Sequence, residues 1–258
     1  MSGRSWRGRD ARYICRALGM TEGLQICLDA GARESYDGNG QVWSDLSGNG
    51  FDFYRGTGSG AQAADPTFAG AAGRLSAGES FSFDGGDVFQ LGQSNPPAID
   101  DLHRNGTTGL ILAWLWLETT SGFATLAGNR GSNSNTGWSA QTNNGTLQYA
   151  IRNSGTLISR LSELSIEAGR WNCIGFQPLD PLGVDFFVNG IFDRRAGDLT
   201  GLATGGGSAV MEIGSSGGQN ALLPSGSRLG MLLLWGGIAV PREQVMAFYQ
   251  ATRGRFAA

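Results

Sequence analysis

The chain has 258 residues, a formal net charge of −3, 40% hydrophobic residues and only 16% charged residues. This composition excludes an intrinsically disordered chain, and 43 glycines without a Gly-X-Y period, beside only 7 prolines, exclude collagen. The longest apolar run, residues 110–117, is far shorter than the ~20 residues that a membrane-spanning helix needs. We therefore predict one large globular domain, or one domain with an arm, and no membrane span.

The N-terminal segment, residues 1–22, is basic, whereas the rest of the chain is acidic. We predict that this segment is an arm that docks on another protein subunit, and the alternative is a frayed chain end. Apolar side chains on one side of residues 9–18 indicate a short helix within it. The predicted docking residues are Arg4, Trp6, Arg7, Arg9, Arg12, Tyr13 and Arg16.

From residue 24 onward, short apolar or alternating runs are bounded by Gly, Asn, Ser or Asp, a pattern that is typical of strands and turns. So many short strands, several of them too apolar for one exposed face, predict two packed antiparallel sheets. The predicted strands are 24–29, 51–55, 80–83, 88–91, 110–118, 123–127, 137–141, 147–152, 156–161, 172–177, 183–188, 191–193, 209–213 and 229–235.

Turn and helix signals complete this pattern. The pairs Asn144-Gly145 and Asn189-Gly190 predict type I′ hairpins, because both residues of such a turn need positive φ. The Gly/Ala-rich segment 61–78 is predicted to be a loop. Pro241 opens a helix with one apolar stripe, and we expect Gly254 to end that helix.

The sequence has few residues in patterns that are typical of catalytic sites. The single histidine, His103, cannot build a multi-histidine metal site, and the Gly-x-Ser-x-Gly match at 214–218 lacks the later histidine that a nucleophile needs. No strand carries the paired carboxylates of β-sandwich glycosidases. Cys27 and Cys173 lie in apolar strand patterns and are predicted to be small buried residues. We therefore predict a protein that is not an enzyme and needs no cofactor.

A polar turn at residues 43–52 is the most distinctive local motif. Asp45, Ser47 and Asn49 alternate before Gly50, as in the first half of a calcium-binding loop, although Gly56 stands where the last carboxylate ligand would be. These three residues are the candidate metal ligands. In the alternative interpretation, to which we give more weight, the same oxygens accept backbone N–H groups and tie the turn together.

Two groups of tryptophans have different predicted roles. Trp114 and Trp116 alternate with leucines in the most apolar strand, which indicates a central strand covered on both faces. Trp138 lies between Gly137 and Ser139 in a polar neighbourhood, so we predict that it is exposed and binds carbohydrate by stacking.

Five segments occur in an order that is typical of one superfamily: 28–31 (Leu-Asp-Ala-Gly), the turn 43–52, the hairpin 186–192, the strand 211–214 and the closing strand and helix 231–249. Together they resemble the laminin-G-like, concanavalin A-like jelly-roll domains. The resemblance implies an all-β fold, a two-sheet antiparallel jelly-roll β-sandwich over residues 23–258 with a short C-terminal helix. The glucanase members carry a Glu-x-Asp-x-x-Glu strand that this chain lacks, which favours binding or scaffolding.

The resemblance extends to jelly-roll domains of tailed-bacteriophage virions. It implies a virion structural protein, a tail fibre, receptor-binding module or head decoration, made in the host cytoplasm and docked through its arm on other virion subunits. A host-surface glycan and a second copy of the chain are further expected partners. The alternative is a carbohydrate-binding lectin domain outside a virion, followed by a glycoside hydrolase or lyase. The acidic body argues against nucleic acid.

Overall fold

The computed structural model describes residues 6, 8–104, 106–131, 136–153, 156–197, 199, 206–218 and 221–256. Its elements in chain order are α1 (Ala11–Ala17), β1 (Leu24–Asp29), β2 (Val42–Trp43), β3 (Phe53–Arg55), β4 (Thr67–Ala69), β5 (Ser80–Ser82), β6 (Phe89–Leu91), α2 (Pro97–Asp100), β7 (Gly109–Trp116), β8 (Phe123–Gly128), β9 (Gly137–Asn143), β10 (Thr146–Asn153), β11 (Thr156–Ser165), β12 (Trp171–Leu179), β13 (Gly183–Val188), β14 (Ile191–Ala196), β15 (Glu212–Ile213), β16 (Arg228–Gly236) and α3 (Arg242–Phe256).

The strands form two antiparallel sheets. The first sheet has the order β14-β13-β12-β7-β16-β5-β4, with β1 also paired to β16, and the second has the order β11-β10-β9-β8-β15-β6-β3-β2. The sheets pack face to face around one apolar core, so the predicted jelly-roll β-sandwich is confirmed. Among the described residues, no helix is both long and apolar enough to cross a membrane.

Strand β7 lies at the centre of the first sheet, between β12 and β16. Ile111, Ala113 and Leu115 belong to the core between the sheets, whereas Leu112 and Trp114 belong to a second apolar cluster on the outer face. A strand covered on both faces needs a continuous apolar run, which explains why its residues are apolar on both sides. The prediction of a central, covered strand is confirmed.

Both predicted Asn-Gly turns are confirmed. The φ angles are 49° and 84° at Asn144 and Gly145, and 52° and 77° at Asn189 and Gly190. These turns join β9 to β10 and β13 to β14, respectively. Strands β2 and β4 were not predicted, because segments of two or three residues are too short to show a period. Strand β4 lies inside the segment 61–78, so the prediction of a loop is wrong at those three residues.

Helix α3 covers the outer face of the first sheet. The Trp114 ring stacks on Phe256 with 4.6 Å between centroids, and its indole N–H donates to Oγ1 of Thr252 at 2.9 Å. The expectation that Gly254 ends this helix is wrong, since the helix continues to Phe256. Burial of Phe256 against Trp114 and Trp171 holds the last turn, despite the low helix propensity of glycine.

The N-terminal segment belongs to the same outer layer. Helix α1 is present as predicted, with Asp10 capping it through the Tyr13 backbone N–H at 2.7 Å. However, Ile14 is 1% exposed and Met20 2%, and the Trp235 indole donates to the Met20 carbonyl at 2.8 Å. We predicted an arm that docks on another subunit and is separate from the body. Residues 11–20 are not separate, because their apolar side chains pack with those of β1, β16 and α3. Docking of the segment on another subunit stays a prediction.

The cysteines are small buried residues, as predicted for Cys27 and Cys173. Burial raises the pKa of each thiol well above its ordinary value, and at Cys15 the Asp10 charge adds to the effect. A thiol with a raised pKa is a poor nucleophile at neutral pH.

Candidate functional site

The structure brings the three candidate metal ligands together in one turn. Oδ1 of Asp45 accepts the backbone N–H groups of Cys27 at 2.8 Å and Ser47 at 2.9 Å. Oδ2 accepts the Ser47 hydroxyl at 2.5 Å and the Phe51 N–H at 3.3 Å. The Asn49 side-chain amide donates to the Leu24 carbonyl at 2.9 Å. The carboxylate therefore fastens the turn to β1.

This network is the hydrogen-bonded turn of the alternative interpretation. The oxygens of Asp45 already have N–H and O–H donors, which a bound cation would have to displace. Within the described ranges, no group of three or more Asp, Glu, His or Cys side chains could hold a metal ion. Calcium binding by Asp45, Ser47 and Asn49 stays a prediction.

Replacement of Asp45 by alanine separates the two interpretations. We expect Asp45→Ala to lower the free energy of unfolding by about 1 to 3 kcal/mol, because several backbone donors lose their acceptor. Urea denaturation measures this loss, and Glu34→Ala, an exposed neighbour, should change it by less than about 0.5 kcal/mol. Millimolar calcium should leave the melting temperature unchanged, and a calcium-dependent rise that vanishes in Asp45→Ala would contradict the turn interpretation.

Trp138 is not an exposed binding residue. Its side chain is 0% exposed, its indole N–H donates to the Ile99 carbonyl at 2.9 Å, and its ring lies parallel to that of Tyr149. The polar neighbours that suggested exposure lie on the opposite face of β9, because successive strand residues alternate between faces. The prediction that Trp138 presents a stacking surface for sugar is therefore wrong.

A cavity of about 560 Å³ lies in the outer layer, between the N-terminal segment, the loop around residue 75 and the C-terminal half of α3. We call it the outer cavity. Trp6 and Leu75 contribute apolar surface, and arginine, serine and glutamine side chains contribute hydrogen-bond donors. The polar and aromatic residues that line it are Trp6, Arg9, Arg74, Ser76, Gln250, Thr252, Arg253 and Arg255.

The loop wall of the outer cavity is held by a buried carboxylate. Glu79 accepts the backbone N–H groups of Ala71 at 3.1 Å and Ser76 at 2.7 Å. Burial acts to raise the pKa of Glu79, but these hydrogen bonds and the nearby Arg255 charge outweigh it and hold the pKa below its ordinary value. Leu75 adopts a φ of 54°, which non-glycine residues rarely do.

Arg255 joins the walls of the outer cavity to each other. Its Nη1 lies 2.7 Å from Oδ1 of Asp29, which is fully buried, and its Nε donates to the Ser76 carbonyl at 3.2 Å. Asp29 also accepts the backbone N–H groups of Ala11 and Gly31, each at 3.0 Å. One ion pair thus fastens β1, α1, the loop and α3 together.

Sequence reasoning found the outer cavity only in part. Trp6 and Arg9 were predicted as docking residues and do line it, whereas Arg12, Tyr13 and Arg16 do not. Arg4 and Arg7 lie outside the described residues. The remaining arginines were missed, since they lie on a loop and a helix far away in sequence. The only local signal was the basic end of α3, Arg253 and Arg255, and ordinary helices share it.

Comparisons with known proteins identify similar folds among solved structures. No family model matches the chain, and no curated protein does. Among solved structures, the binding domain of Paraclostridial mosquitocidal protein 1 has a TM-score of 0.64 at 14% identity, covering 89% of this chain and 52% of that one. Domain 4 of AbnA, a GH43 extracellular arabinanase from Geobacillus stearothermophilus, in complex with arabinotriose, has a TM-score of 0.60 at 20% identity, covering 88% and 98%.

A third similar structure is the botulinum neurotoxin serotype D ligand binding domain in complex with N-acetylneuraminic acid, with a TM-score of 0.55 at 11% identity. The match covers 52% of that domain, as it does for the mosquitocidal protein's binding domain, so this chain spans about half the length of each of the two. At such identities the likeness establishes the jelly-roll-like β-sandwich. Two of these three structures were solved with a sugar bound.

Proposed function

We propose that this chain is a carbohydrate-binding domain that holds a glycan in the outer cavity by binding alone, without catalysis. The observation that carries the proposal is the combination of an indole, Trp6, with several guanidinium, hydroxyl and amide donors around one cavity. A cavity of about 560 Å³ also falls within the range of about 300 to 1,000 Å³ that is typical of small-molecule sites.

The chemistry of sugars fits this lining. A pyranose or furanose ring has an apolar C–H face that packs on an aromatic ring, and hydroxyl groups at its rim that accept and donate hydrogen bonds. In the outer cavity Trp6 supplies the ring, while Ser76 and Gln250 supply groups that both donate and accept. The sugar-bound structures of the same fold support the proposal by analogy of architecture.

The virion role stays a prediction. No comparison bears on a phage particle, on localisation in a virion, on docking to virion subunits or on a second copy of the chain. The reason for proposing a free docking arm was its basic and aromatic composition, and the part of that segment at residues 11–20 packs on the body. We therefore favour the glycan-binding role that the sequence analysis held as its alternative.

Substitution of Trp6 tests the proposed function. The chain is screened on an array of neutral and acidic glycans, with arabinotriose and N-acetylneuraminic acid included, and the best ligand is titrated by calorimetry. We expect Trp6→Ala to weaken binding by about tenfold, because the sugar loses its aromatic surface.

Phe123→Ala is the matched control, since Phe123 is a 54% exposed aromatic residue on the second sheet. It should leave the affinity unchanged. Equal affinities for Trp6→Ala and the unmodified chain would place the glycan elsewhere and contradict the proposed site, and an absence of glycan binding would contradict the function.

A further inference from the structure

The outer cavity carries an excess of positive charge. Four arginines line it, Arg9, Arg74, Arg253 and Arg255, and none of its described lining residues is acidic. Of these, Arg255 is paired with Asp29. No ion pair joins the other three to a carboxylate in the part of the chain that the structure describes. Three guanidinium charges thus remain around one cavity.

Other charges near the outer cavity do not cancel this excess. Asp29 and the buried Glu79 both interact with Arg255, and Asp10 caps α1. The C-terminal end of α3 contributes a partial negative charge equivalent to about half an elementary charge, which is less than the three arginine charges. The guanidinium of Arg9 lies over the Tyr13 ring, 4.5 Å from its centroid, which leaves its N–H groups available for other acceptors.

Arg255 differs from the other three arginines, because it is buried and already paired with Asp29. Its side chain is only 7% exposed, and its Nη2 has no hydrogen-bond partner within the described residues, while Nη1 and Nε are both used. A buried polar group without a partner is rare in folded proteins, because it forfeits the hydrogen bond that water would make. However, Nη2 has no solvent-accessible surface and packs against the Gly31 backbone, so it does not face the open cavity. Arg9, Arg74 and Arg253 are therefore the arginines of the cavity that a ligand can reach.

We propose that the glycan bound in the outer cavity is acidic, and that its oxyanion group, a carboxylate or a sulfate, binds to the arginine cluster of Arg9, Arg74 and Arg253. This inference rests on the proposed function, whose site it shares. The guanidinium fork matches two oxygens of one oxyanion, so the cluster selects for charge and orientation together. Trp6 then packs on the sugar ring.

Matched pairs of sugars test the charge selection. Digalacturonate is compared with its dimethyl ester, and galactose 6-sulfate with galactose, by calorimetry at 50 mM and 500 mM NaCl. We expect the acidic sugar of at least one pair to bind at least about tenfold tighter than its uncharged counterpart. This difference in affinity should shrink at high salt, because exposed charges are screened. Inorganic phosphate, titrated alone, should bind more weakly than that sugar.

Arginine variants localise the effect. Arg74→Gln and Arg253→Gln change exposed side chains, so both variants should fold, whereas Arg255→Gln removes a buried partner of Asp29. We expect Arg74→Gln and Arg253→Gln each to lower the affinity for the acidic sugar by about tenfold and to leave the affinity for its uncharged counterpart unchanged. Arg170→Gln, at an exposed arginine paired with Glu167, is the control and should change neither affinity.

The outcomes distinguish the two proposals. If the acidic and the uncharged sugar bind with equal affinity, and Trp6→Ala abolishes binding of both, the proposal of an acidic ligand is wrong and the proposed glycan site stands. Binding of phosphate without any sugar overturns both. Acidic selectivity that persists in Arg74→Gln and Arg253→Gln overturns the role of the arginine cluster.

Discussion

Removal of residues 1–20 is expected to lower the free energy of unfolding by at least about 4 kcal/mol, because truncating a buried Ile or Met side chain costs about 2 to 5 kcal/mol. Ile14 and Met20 are both almost fully buried, and Ala11 and Cys15 are 0% exposed beside them. Since small domains are stable by only about 5 to 15 kcal/mol, the truncated chain should unfold at much lower urea concentration and temperature.

A point substitution isolates the same effect. Ile14→Ala should lower the free energy of unfolding by about 2 to 5 kcal/mol, measured by urea denaturation, because it leaves a void in the apolar cluster on the outer face of the first sheet. Arg16→Ala, on the exposed side of α1, should change the free energy by no more than about 0.5 kcal/mol. If the truncated chain were as stable as the chain without the deletion, α1 would not belong to the folding unit, and the prediction of a separate docking arm would be supported.

Replacement of Asp29 by alanine is the second large change. We expect Asp29→Ala to lower the free energy of unfolding by about 3 to 5 kcal/mol, because it leaves the mostly buried guanidinium of Arg255 without its counter-charge. The backbone N–H groups of Ala11 and Gly31 lose their acceptor as well. Denaturant unfolding followed by tryptophan fluorescence measures the loss.

An exposed ion pair is the control for this prediction. Glu167→Ala breaks the pair with Arg170, whose side chains are 71% and 58% exposed, and should cost less than about 1 kcal/mol. The double variant Asp29→Ala/Arg255→Ala should cost less than the sum of the two single variants, because the two residues interact directly. Additive costs, or a loss in Asp29→Ala below about 1 kcal/mol, would show that the pair does not join the walls of the outer cavity.

Asp29 illustrates how a motif residue acquires its role. It lies in the segment Leu-Asp-Ala-Gly at 28–31, which contributed to the family resemblance without a role of its own. In the structure its carboxylate reaches α1 and the end of α3, the latter 226 residues away in sequence. Such a partnership has no local signal, since any arginine could have been the partner.

The strands and turns were predictable because their signals are local. The short, mostly apolar runs of β12 and β13, and the positive φ that Asn-Gly pairs tolerate, depend only on neighbouring residues. The network around Asp45 was predictable for the same reason, since the side chain accepts N–H groups two and six residues away. Short strands such as β4 were missed, because three residues pair only when a partner strand is already in place.

The sequence by itself thus determined the all-β class, the hairpins and the C-terminal helix, all of which follow from patterns within about ten residues. Only the tertiary structure decided which way Trp138 faces, where the N-terminal segment packs and how far α3 extends. It also decided that arginines from a loop and from α3 meet Trp6 around one cavity. The physical reason is that burial and charge proximity depend on which surfaces the fold brings together, and residues far apart in the chain leave no periodic signal of their contact.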